Sequence, residues 1–332
     1  MGLNNNQQNS NKIFMKNKII VICGPTASGK TYVSIELAKR LNAEIISADS
    51  MQIYKELNIG TAKPAKEEMS GIKHHLLDII SIQSEGFSVA EYVRLAENCV
   101  QDILGRGKTA VICGGTGLYI DHFMNNTQFA EYENDIEYRQ ELEKLSSGQL
   151  YSMLVEIDAK SSGIIHQNNK KRLIRALEIY KITGKTKSEL DELANLKESK
   201  YDFIKLCLNY TDRNILYERI NQRVDLMMQN GLIDEARELY ESGEENHIRR
   251  IGAIGYVELL DYFNGLCGLD EAVEKIKRHT RNYAKRQLTW FKKDPATIWI
   301  DMNLIENEEK DKKDKKDKKD KIITKCLNYI NI

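Results

Sequence analysis

The stretch KIIVICGPTASGKTYVSIELAKRLN, residues 18–42, decides the fold. Its first part, residues 18–23, is a short apolar and β-branched run, which predicts a buried strand. Residues 24–31 match the pattern G-x-x-x-x-G-K-[ST], and the apolar residues that follow recur at helical spacing. A strand, a glycine loop and a helix in this order form the context that a phosphate-binding loop requires.

The predicted phosphate-binding residues are Gly24, Pro25, Thr26, Ala27, Ser28, Gly29, Lys30 and Thr31. Backbone N–H groups of such a loop, together with the positive end of the following helix, hold phosphate oxygens. Lys30 adds a point charge, and the Thr31 hydroxyl is suited to ligate Mg²⁺. The pattern does not distinguish a diphosphate from a triphosphate, so the ligand stays open at this point.

Further apolar runs alternate with helical segments along the chain. Strands are predicted at residues 43–48, 109–113, 203–210 and 297–302, with a helix at residues 88–104. This alternation predicts an α/β fold with a parallel, doubly wound sheet, whose functional groups lie at the carboxyl ends of the strands. Residues 125–200 show only helical periodicity, which predicts a helical insertion.

Composition sets the broad class of protein. The 332 residues are 41% hydrophobic and 30% charged, which is typical of a globular chain. No apolar stretch approaches the roughly 18 residues that a bilayer span needs, so no membrane partner is expected. The Asn/Gln-rich start lacks the apolar core of a secretory signal, which predicts a cytoplasmic protein. The six cysteines contain no C-x-x-C pair, which argues against a disulfide framework or a zinc site.

Domain boundaries follow from these patterns. Residues 1–17 are predicted to be a disordered extension, residues 18–124 and 201–305 the core, residues 125–200 the helical insertion, and residues 306–332 a charged, low-complexity tail. Within the tail, the segment EKDKKDKKDKKDK, residues 309–321, has no apolar face. This segment is interpreted as a solvated or disordered linker.

Polar side chains follow two of the predicted strands. Asp49 comes directly after the second strand, where a carboxylate fits a metal ligand, a general base or an N-cap. Gln52 carries an amide of the kind that pairs with an adenine edge. The third strand ends in GGTGLY, residues 114–119, whose glycines permit close approach of a ligand to the backbone and whose Thr116 offers a hydroxyl. No Asp ends this strand, which argues against a standard ATPase.

Charge is balanced overall but unevenly distributed. The chain has 49 basic and 49 acidic residues, so its net charge gives no support for a nucleic-acid binder. Basic residues nevertheless concentrate at residues 170–187 and 275–293, and acidic residues at 131–143. A chain of zero net charge can therefore present local basic surfaces to a polyanion.

Several sequence blocks occur in the order found in one enzyme family. They are GPTASGKT (24–31), ADSMQIYKELNIGTAKP (48–64), HHLLDI (74–79), GGTGLY (114–119), RLIRALEIYKITGKT (172–186), ERINQRVDLMMQNGLIDEA (218–236), AIGYVEL (253–259) and YAKRQLTWFK (283–292). Over roughly residues 18–300 the chain resembles the tRNA dimethylallyltransferase family. The resemblance implies a P-loop NTPase-like core, with the helical insertion contacting tRNA.

The resemblance also implies an activity. Members of the family transfer a dimethylallyl group from dimethylallyl diphosphate to the exocyclic amine of the adenosine on the 3′ side of the tRNA anticodon. By resemblance, Asp49 is the general base, and Thr116 lies near the departing oxygen and the amine. Lys30, Arg223 and Thr31 with Mg²⁺ neutralise charge on the diphosphate. Arg223 is preferred to Arg219 because it matches the second Arg of the block RINQR. A monomer is expected.

The resemblance assigns a set of residues to tRNA binding: Asp49, Ser50, Met51, Gln52, Thr116, Arg139, Lys171, Arg172, Leu173, Ile174 and Arg175. The chain departs from the family pattern D-P-Q-R at Asn169, Lys170 and Lys171, and it has Val257 where the family often has a basic residue. The first departure adds positive charge, and the second removes one expected RNA contact.

Three other functions remain open from the sequence. They are a P-loop kinase of a small metabolite, an RNA-binding protein that uses nucleotide as a switch, and a prenyltransferase acting on free adenine nucleotides. The last would not need a basic helical insertion. These functions differ in the group that is transferred, phosphate or prenyl, and in the molecule that accepts it.

Overall fold

The computed structural model describes residues 16–127, 135–195, 198–305 and 312–331. Its strands are β1 (Lys18–Cys23), β2 (Ala43–Ser47), β3 (His74–His75), β4 (Thr109–Gly114), β5 (Asp202–Asn209) and β6 (Ile298–Asp301). They form one parallel sheet in the order β3-β2-β4-β1-β5-β6. The predicted α/β fold with a parallel sheet is confirmed. Strand β3 was not predicted, because two residues carry no periodic signal.

The central strand β1 places the phosphate-binding loop. It pairs with β4 on one side and β5 on the other, with Ile22 opposite Cys113 and Cys23 opposite Cys207. Five of its six residues are buried, as expected for a strand covered on both faces. The carboxyl ends of β1, β4 and β5 therefore open into one crevice, which is where α/β sheets bind ligands.

The described residues form two compact units, the first drawn from residues 1–87, 94–120 and 200–332, and the second from residues 88–93 and 121–199. Along the first unit run α1 (Lys30–Arg40), α2 (Lys66–Met69), α3 (Val89–Gly105), α4 (Gly117–Met124), α10 (Arg213–Gln229), α11 (Leu232–Glu241), α12 (Glu245–Ile251), α13 (Tyr256–Phe263), α14 (Leu269–Phe291) and α15 (Lys312–Ile330). Helices α3 and α4 each contain residues that are assigned to both units. In the first unit one apolar cluster joins the sheet to α1, α10, α14 and α15, and a second joins α10–α14 to residues 53–57.

In its described residues, the second unit contains helices joined by short loops and no strand. It contains α5 (Ile136–Lys144), α6 (Ser147–Ile157), α7 (Ala159–Ser162), α8 (Lys170–Thr183) and α9 (Lys187–Asn195). Its own core consists of apolar residues from α5, α6 and α8 and of Ile165. Asn169 caps α8, since its Oδ1 accepts a hydrogen bond from the Arg172 amide at 3.3 Å. Its main segment, residues 121–199, starts four residues before the predicted insertion, residues 125–200, and ends one residue earlier, and the unit also includes residues 88–93.

The carboxyl-terminal segment corrects one prediction. Residues 312–321, interpreted as part of a linker, belong to α15. The helix is anchored by Ile322, Ile323, Cys326 and Ile330, whose helical spacing buries them in the cluster around the sheet. The Lys/Asp repeat thus forms the first part of α15, and the buried apolar residues of this helix follow the repeat. Residues 309–311, like residues 1–15 of the predicted extension, lie outside the described residues.

Within the described ranges, none of the helices is both long and apolar enough to cross a bilayer.

Candidate active site

The phosphate-binding loop connects β1 to α1, as predicted. Gly24 is left-handed with φ 139°, and a Cβ there would stand 2.3 Å from the carbonyl oxygen of Leu208 in β5. Ala27 and Gly29 also have positive φ values, 61° and 89°. Gly24 is required by packing against the neighbouring strand, and the left-handed residues turn the loop so that α1 begins directly beside it.

The Lys30 side chain lies back over the loop. Its Nζ donates hydrogen bonds to the carbonyl oxygens of Gly24 and Pro25 at 3.0 and 2.8 Å. Burial lowers the pKa of this ammonium group, and the nearby Arg223 charge lowers it further. Both effects disfavour the ammonium charge, so an anion bound against the loop would stabilise it.

Asp49 lies at the carboxyl end of β2 and closes a tight turn. Its Oδ1 accepts hydrogen bonds from the amides of Met51 and Gln52 at 2.9 and 3.4 Å. These bonds close a turn rather than cap a helix, because the next helix along the chain begins only at Lys66. Among the described residues, Oδ2 has no hydrogen-bond donor, so this half-buried carboxylate retains an oxygen for a ligand.

Thr116 supports the Asp49 turn from behind. Its backbone amide donates to the Ala48 carbonyl at 3.0 Å, and its Oγ1 accepts a hydrogen bond from the Ser50 amide, also at 3.0 Å. Thr116 does not line the cavity described below, whereas Asp49 and Ser50 do. The tertiary structure therefore places the Thr116 hydroxyl next to the turn that carries Asp49.

The glycines of GGTGLY serve packing. A Cβ on Gly114 would come within 2.1 Å of the Ala48 carbonyl oxygen, and one on Gly115 within 2.2 Å of the Gln287 Nε2. A Cβ on Gly117 would come within 2.3 Å of the Trp290 ring. The glycines were expected to admit a ligand. They instead allow close packing against the residue that follows β2 and against side chains of α14.

Two arginines on α10 face the site one turn apart. Burial lowers the pKa of the Arg223 guanidinium, while the negative charge of Asp49 opposes this shift. Arg219 donates from Nε to the Ala27 carbonyl at 3.1 Å and lies over the Tyr210 ring, 5.2 Å from its centroid. Arg219 thus braces the phosphate loop, and Arg223 lies near enough to Asp49 for their charges to interact.

Sequence reasoning missed two residues on α14. Tyr283 lines the cavity, and burial raises the pKa of its hydroxyl, with the Asp49 charge as the next cause. Gln287, one turn later, is 5% exposed and hydrogen-bonds both glycine loops. Their spacing of four residues in YAKRQLTWFK was the available signal, because it places both on one helix face.

Gln52 is occupied by the protein itself. Its Nε2 donates to the carbonyl oxygens of Thr61 and Ala62 at 3.2 and 3.3 Å, and Ser47 donates to its Oε1 at 3.4 Å. The amide predicted for an adenine edge therefore holds the 57–64 loop. On the far side of this loop, Glu235 accepts the Ile59 amide at 3.0 Å.

A cavity of about 840 Å³ unites these groups within the first unit. Its walls include the phosphate loop from Thr26 to Thr31, residues 49–52, Arg219, Arg223 and Tyr283. Apolar side chains of Val224, Met227 and Ile276 complete another part of the wall. Anion-binding groups, a carboxylate and an apolar surface therefore meet in a space of the size that small-molecule sites occupy.

The donor set for Mg²⁺ is sparse. In the described ranges, no group of three or more His, Cys, Asp and Glu residues could hold a metal ion by itself. Thr31 offers a hydroxyl oxygen in the first turn of α1, beside the loop amides. This set fits an ion that is held jointly by one hydroxyl, phosphate oxygens and water, which is a common arrangement for Mg²⁺.

The residues predicted to bind tRNA separate into two groups in the helical unit. Lys171, Arg172 and Arg175 are exposed on α8. Leu173 and Ile174 are 0% and 3% exposed in the core of the unit, which corrects their assignment as RNA contacts because their side chains are covered.

Arg139, also predicted to bind tRNA, is held by carboxylates. It pairs with the buried Glu178 at 3.1 Å and with Glu143 at 3.2 Å. Arg175 reaches the same Glu178 at 3.5 Å. These ion pairs fix the two guanidinium groups on the surface of the helical unit.

Known proteins resemble this chain over most of its length. The sequence model of the IPP transferase family matches residues 52–294. The chain belongs to the IPP transferase family. It is 46% identical over 287 residues to a tRNA dimethylallyltransferase of Caldanaerobacter subterraneus subsp. tengcongensis, covering 85% of this chain and 91% of that protein.

Solved IPP transferases share the fold. The full-length tRNA isopentenylpyrophosphate transferase of Bacillus halodurans is 41% identical, with a TM-score of 0.68 and coverage of 95% of this chain and 97% of that one. A eukaryotic dimethylallyltransferase acting on tRNA is 32% identical, with a TM-score of 0.73 and coverage of 83% and 70%. The parallel sheet of this IPP transferase and its phosphate loop thus belong to a fold shared with tRNA-modifying relatives.

Proposed function

We propose that this protein transfers a dimethylallyl group from dimethylallyl diphosphate to the exocyclic amine of the adenosine 3′-adjacent to the tRNA anticodon. The observation that supports this most strongly is the single cavity lined by both Lys30 of the phosphate loop and the Asp49 carboxylate. A diphosphate leaving group needs the first, and a weakly nucleophilic amine needs the second.

In the proposed reaction the bond between the prenyl carbon and the diphosphate oxygen breaks, and a bond forms from that carbon to the amine nitrogen. Asp49 Oδ2 accepts the proton that the amine loses. Lys30 and Arg223, whose charges are disfavoured by burial, stabilise the negative charge that develops on the leaving oxygen. Mg²⁺, bound at Thr31, would supply further neutralisation of the diphosphate.

The tRNA would be held by phosphate contacts as well as by the adenosine. We assign the exposed Lys171, Arg172 and Arg175 of α8 to the phosphates, since a polyanion is bound through local cations when the net charge is zero. Thr116 acts through Ser50 by holding the Asp49 turn. We further propose that the protein works as a monomer. Its proposed location is the cytoplasm, where its tRNA substrate would be present.

One assay separates this function from its alternatives. The purified chain is incubated with dimethylallyl diphosphate labelled in the prenyl group, or with ATP labelled in the γ-phosphate, and with unmodified tRNA. We expect prenyl label in tRNA and no phosphate transfer. A transcript with guanosine in place of the target adenosine is the control. Prenyl label on free AMP, or phosphate label on any acceptor, would contradict the proposal.

A further inference from the structure

The two glycine-rich loops of the site arise from different strands. The phosphate loop follows β1, and the loop that supports Asp49 follows β4. The last paired residues of β1 and β4 are Cys23 and Gly114, so strand pairing does not set the spacing of the two loops beyond them. Transfer nevertheless requires the leaving group and the amine in one alignment, because a displacement of about 1 Å can cost on the order of 10²-fold in rate.

A single side chain bridges both loops. Gln287 Oε1 accepts a hydrogen bond from the Thr26 amide at 2.9 Å, and its Nε2 donates to the Gly115 carbonyl at 3.0 Å. A Cβ on Gly115 would stand 2.2 Å from this Nε2, so a larger residue there would displace the Gln287 amide. One planar amide therefore sets the spacing between a backbone donor on one loop and a backbone acceptor on the other.

The chemistry of this bridge is specific to a primary amide. A donor and an acceptor are both required, which excludes the carboxylate, ammonium and hydrocarbon side chains of similar length. The side chain is 5% exposed, so each unmade hydrogen bond would leave a buried polar group without a partner. Tyr283, on the same helix face, interacts with both Gln287 and Thr116, which connects the bridge to the Asp49 turn.

We infer that Gln287 is a positioning residue, which aligns the diphosphate-holding loop with the Asp49 turn for prenyl transfer. This inference rests on the proposed function. Gln287 is itself part of the cavity wall, but in this role it acts through the two backbone groups that its amide binds and not on the reacting atoms. The hydrogen bond to its Oε1 occupies the Thr26 amide of the phosphate loop.

The test compares Gln287→Met, which keeps the length and removes both hydrogen bonds, with Gln287→Glu, which keeps only an acceptor for Thr26. Single-turnover transfer is measured well below the melting temperature, alongside the affinities for inorganic diphosphate and tRNA. We expect Gln287→Met to slow transfer by about 10- to 10²-fold with both affinities within about threefold of wild type. Gln101→Met, which removes an exposed glutamine amide on α3, is the matched control.

A double-mutant cycle distinguishes loss of the Gln287 bridge from a general loosening of the fold. Gly115→Ala should slow transfer in the wild type by displacing the Gln287 amide, and should add little in a Gln287→Ala background. Additive effects would overturn the inference, as would transfer by Gln287→Met within twofold of wild type or an equal loss of diphosphate affinity. Failure of the wild type to prenylate tRNA would overturn the proposed function and this inference together.

Discussion

Arg219 Nε donates a hydrogen bond to the carbonyl oxygen of Ala27 at 3.1 Å. This hydrogen bond connects α10 to the phosphate loop at Ala27. Arg223, one turn further along the same helix, instead interacts with the charge of Asp49. The helix therefore presents two similar cations with different tasks. Substitutions at the two positions should affect different steps.

We expect Arg223→Ala to lower the rate constant of prenyl transfer by about 10²- to 10³-fold, because it removes a cation that faces developing charge. Arg219→Ala should instead raise the KM for dimethylallyl diphosphate about tenfold, since it loosens the loop by one hydrogen bond to a charged donor. Single-turnover and steady-state kinetics check both effects. Identical kinetic defects in the two variants would contradict the division of tasks.

Asp49→Asn retains an oxygen that can accept the Met51 and Gln52 amides, but it cannot accept the amine proton. We expect transfer to fall by about 10²- to 10⁴-fold, with tRNA affinity little changed. Asp49→Ala, which also removes the two hydrogen bonds that close the turn, should show the same loss of rate and an added loss of thermal stability. A near wild-type single-turnover rate in Asp49→Asn would rule out Asp49 as the base.

The affinity for inorganic diphosphate should depend on the protonation of Lys30. Because burial lowers the pKa of Lys30, its charge is present at low pH and is lost at a pH below that of an ordinary lysine. Affinity should therefore fall as pH rises through this lowered pKa, with proton uptake on binding. Calorimetry in buffers of different ionisation enthalpy measures both quantities.

The control for this experiment is Lys30→Arg, whose guanidinium stays charged over the same range. Its diphosphate affinity, although weakened by altered geometry, should show no such fall. An equal pH dependence in wild type and Lys30→Arg would assign the titration to another group.

Replacing Lys171, Arg172 and Arg175 together by Ala should weaken tRNA binding and flatten its salt dependence. The expected change in slope is about 0.7 to 0.9 per lost phosphate contact, while diphosphate affinity stays unchanged. The fold of the unit should persist, because its core is formed by other side chains of α8 and its neighbours. Affinities at several salt concentrations provide the measurement, with Lys144→Ala/Lys160→Ala in the same unit as control. Coincident lines for triple variant and wild type would exclude this surface.

Glu44, near the start of β2, is expected to stabilise the fold through buried ion pairs. Its side chain is 3% exposed and pairs with Lys108 at 2.9 Å, His75 at 2.7 Å and Arg106 at 2.5 Å. The hydrogen bond from Arg106 lowers the pKa of Glu44 despite its burial. Glu44→Gln should lower the free energy of unfolding by about 1–3 kcal/mol at neutral pH.

The sign of the pH dependence follows from that lowered pKa. The stabilisation is complete above the unfolded-state pKa, about 4.3, and is lost as pH falls towards the lower folded-state value. The difference between wild type and Glu44→Gln should therefore shrink on acidification below about pH 4. Glu36→Gln, which breaks surface pairs, is the control and should cost at most about 1 kcal/mol. Urea unfolding at several pH values measures these differences.

The sequence by itself determined the elements with strong local patterns. The run of residues 18–23, the loop of residues 24–31 and the alternation of strands and helices predicted the parallel sheet, because strand burial and loop chemistry leave periodic and glycine signals. The same reasoning placed Asp49, Lys30 and Arg223 in one site, the last with help from family resemblance. All three line one cavity.

Only the tertiary structure decided which groups support that site. Gln287 joins loops 261 and 172 residues away in the chain, and no local pattern encodes such a distance. The helix at residues 312–330 escaped prediction because its apolar anchor lies after the charged repeat and becomes stable only against the sheet. Burial of Leu173 and Ile174 likewise depends on packing between helices, since an amphipathic helix shows which residues share a face, while its neighbours determine which face is covered.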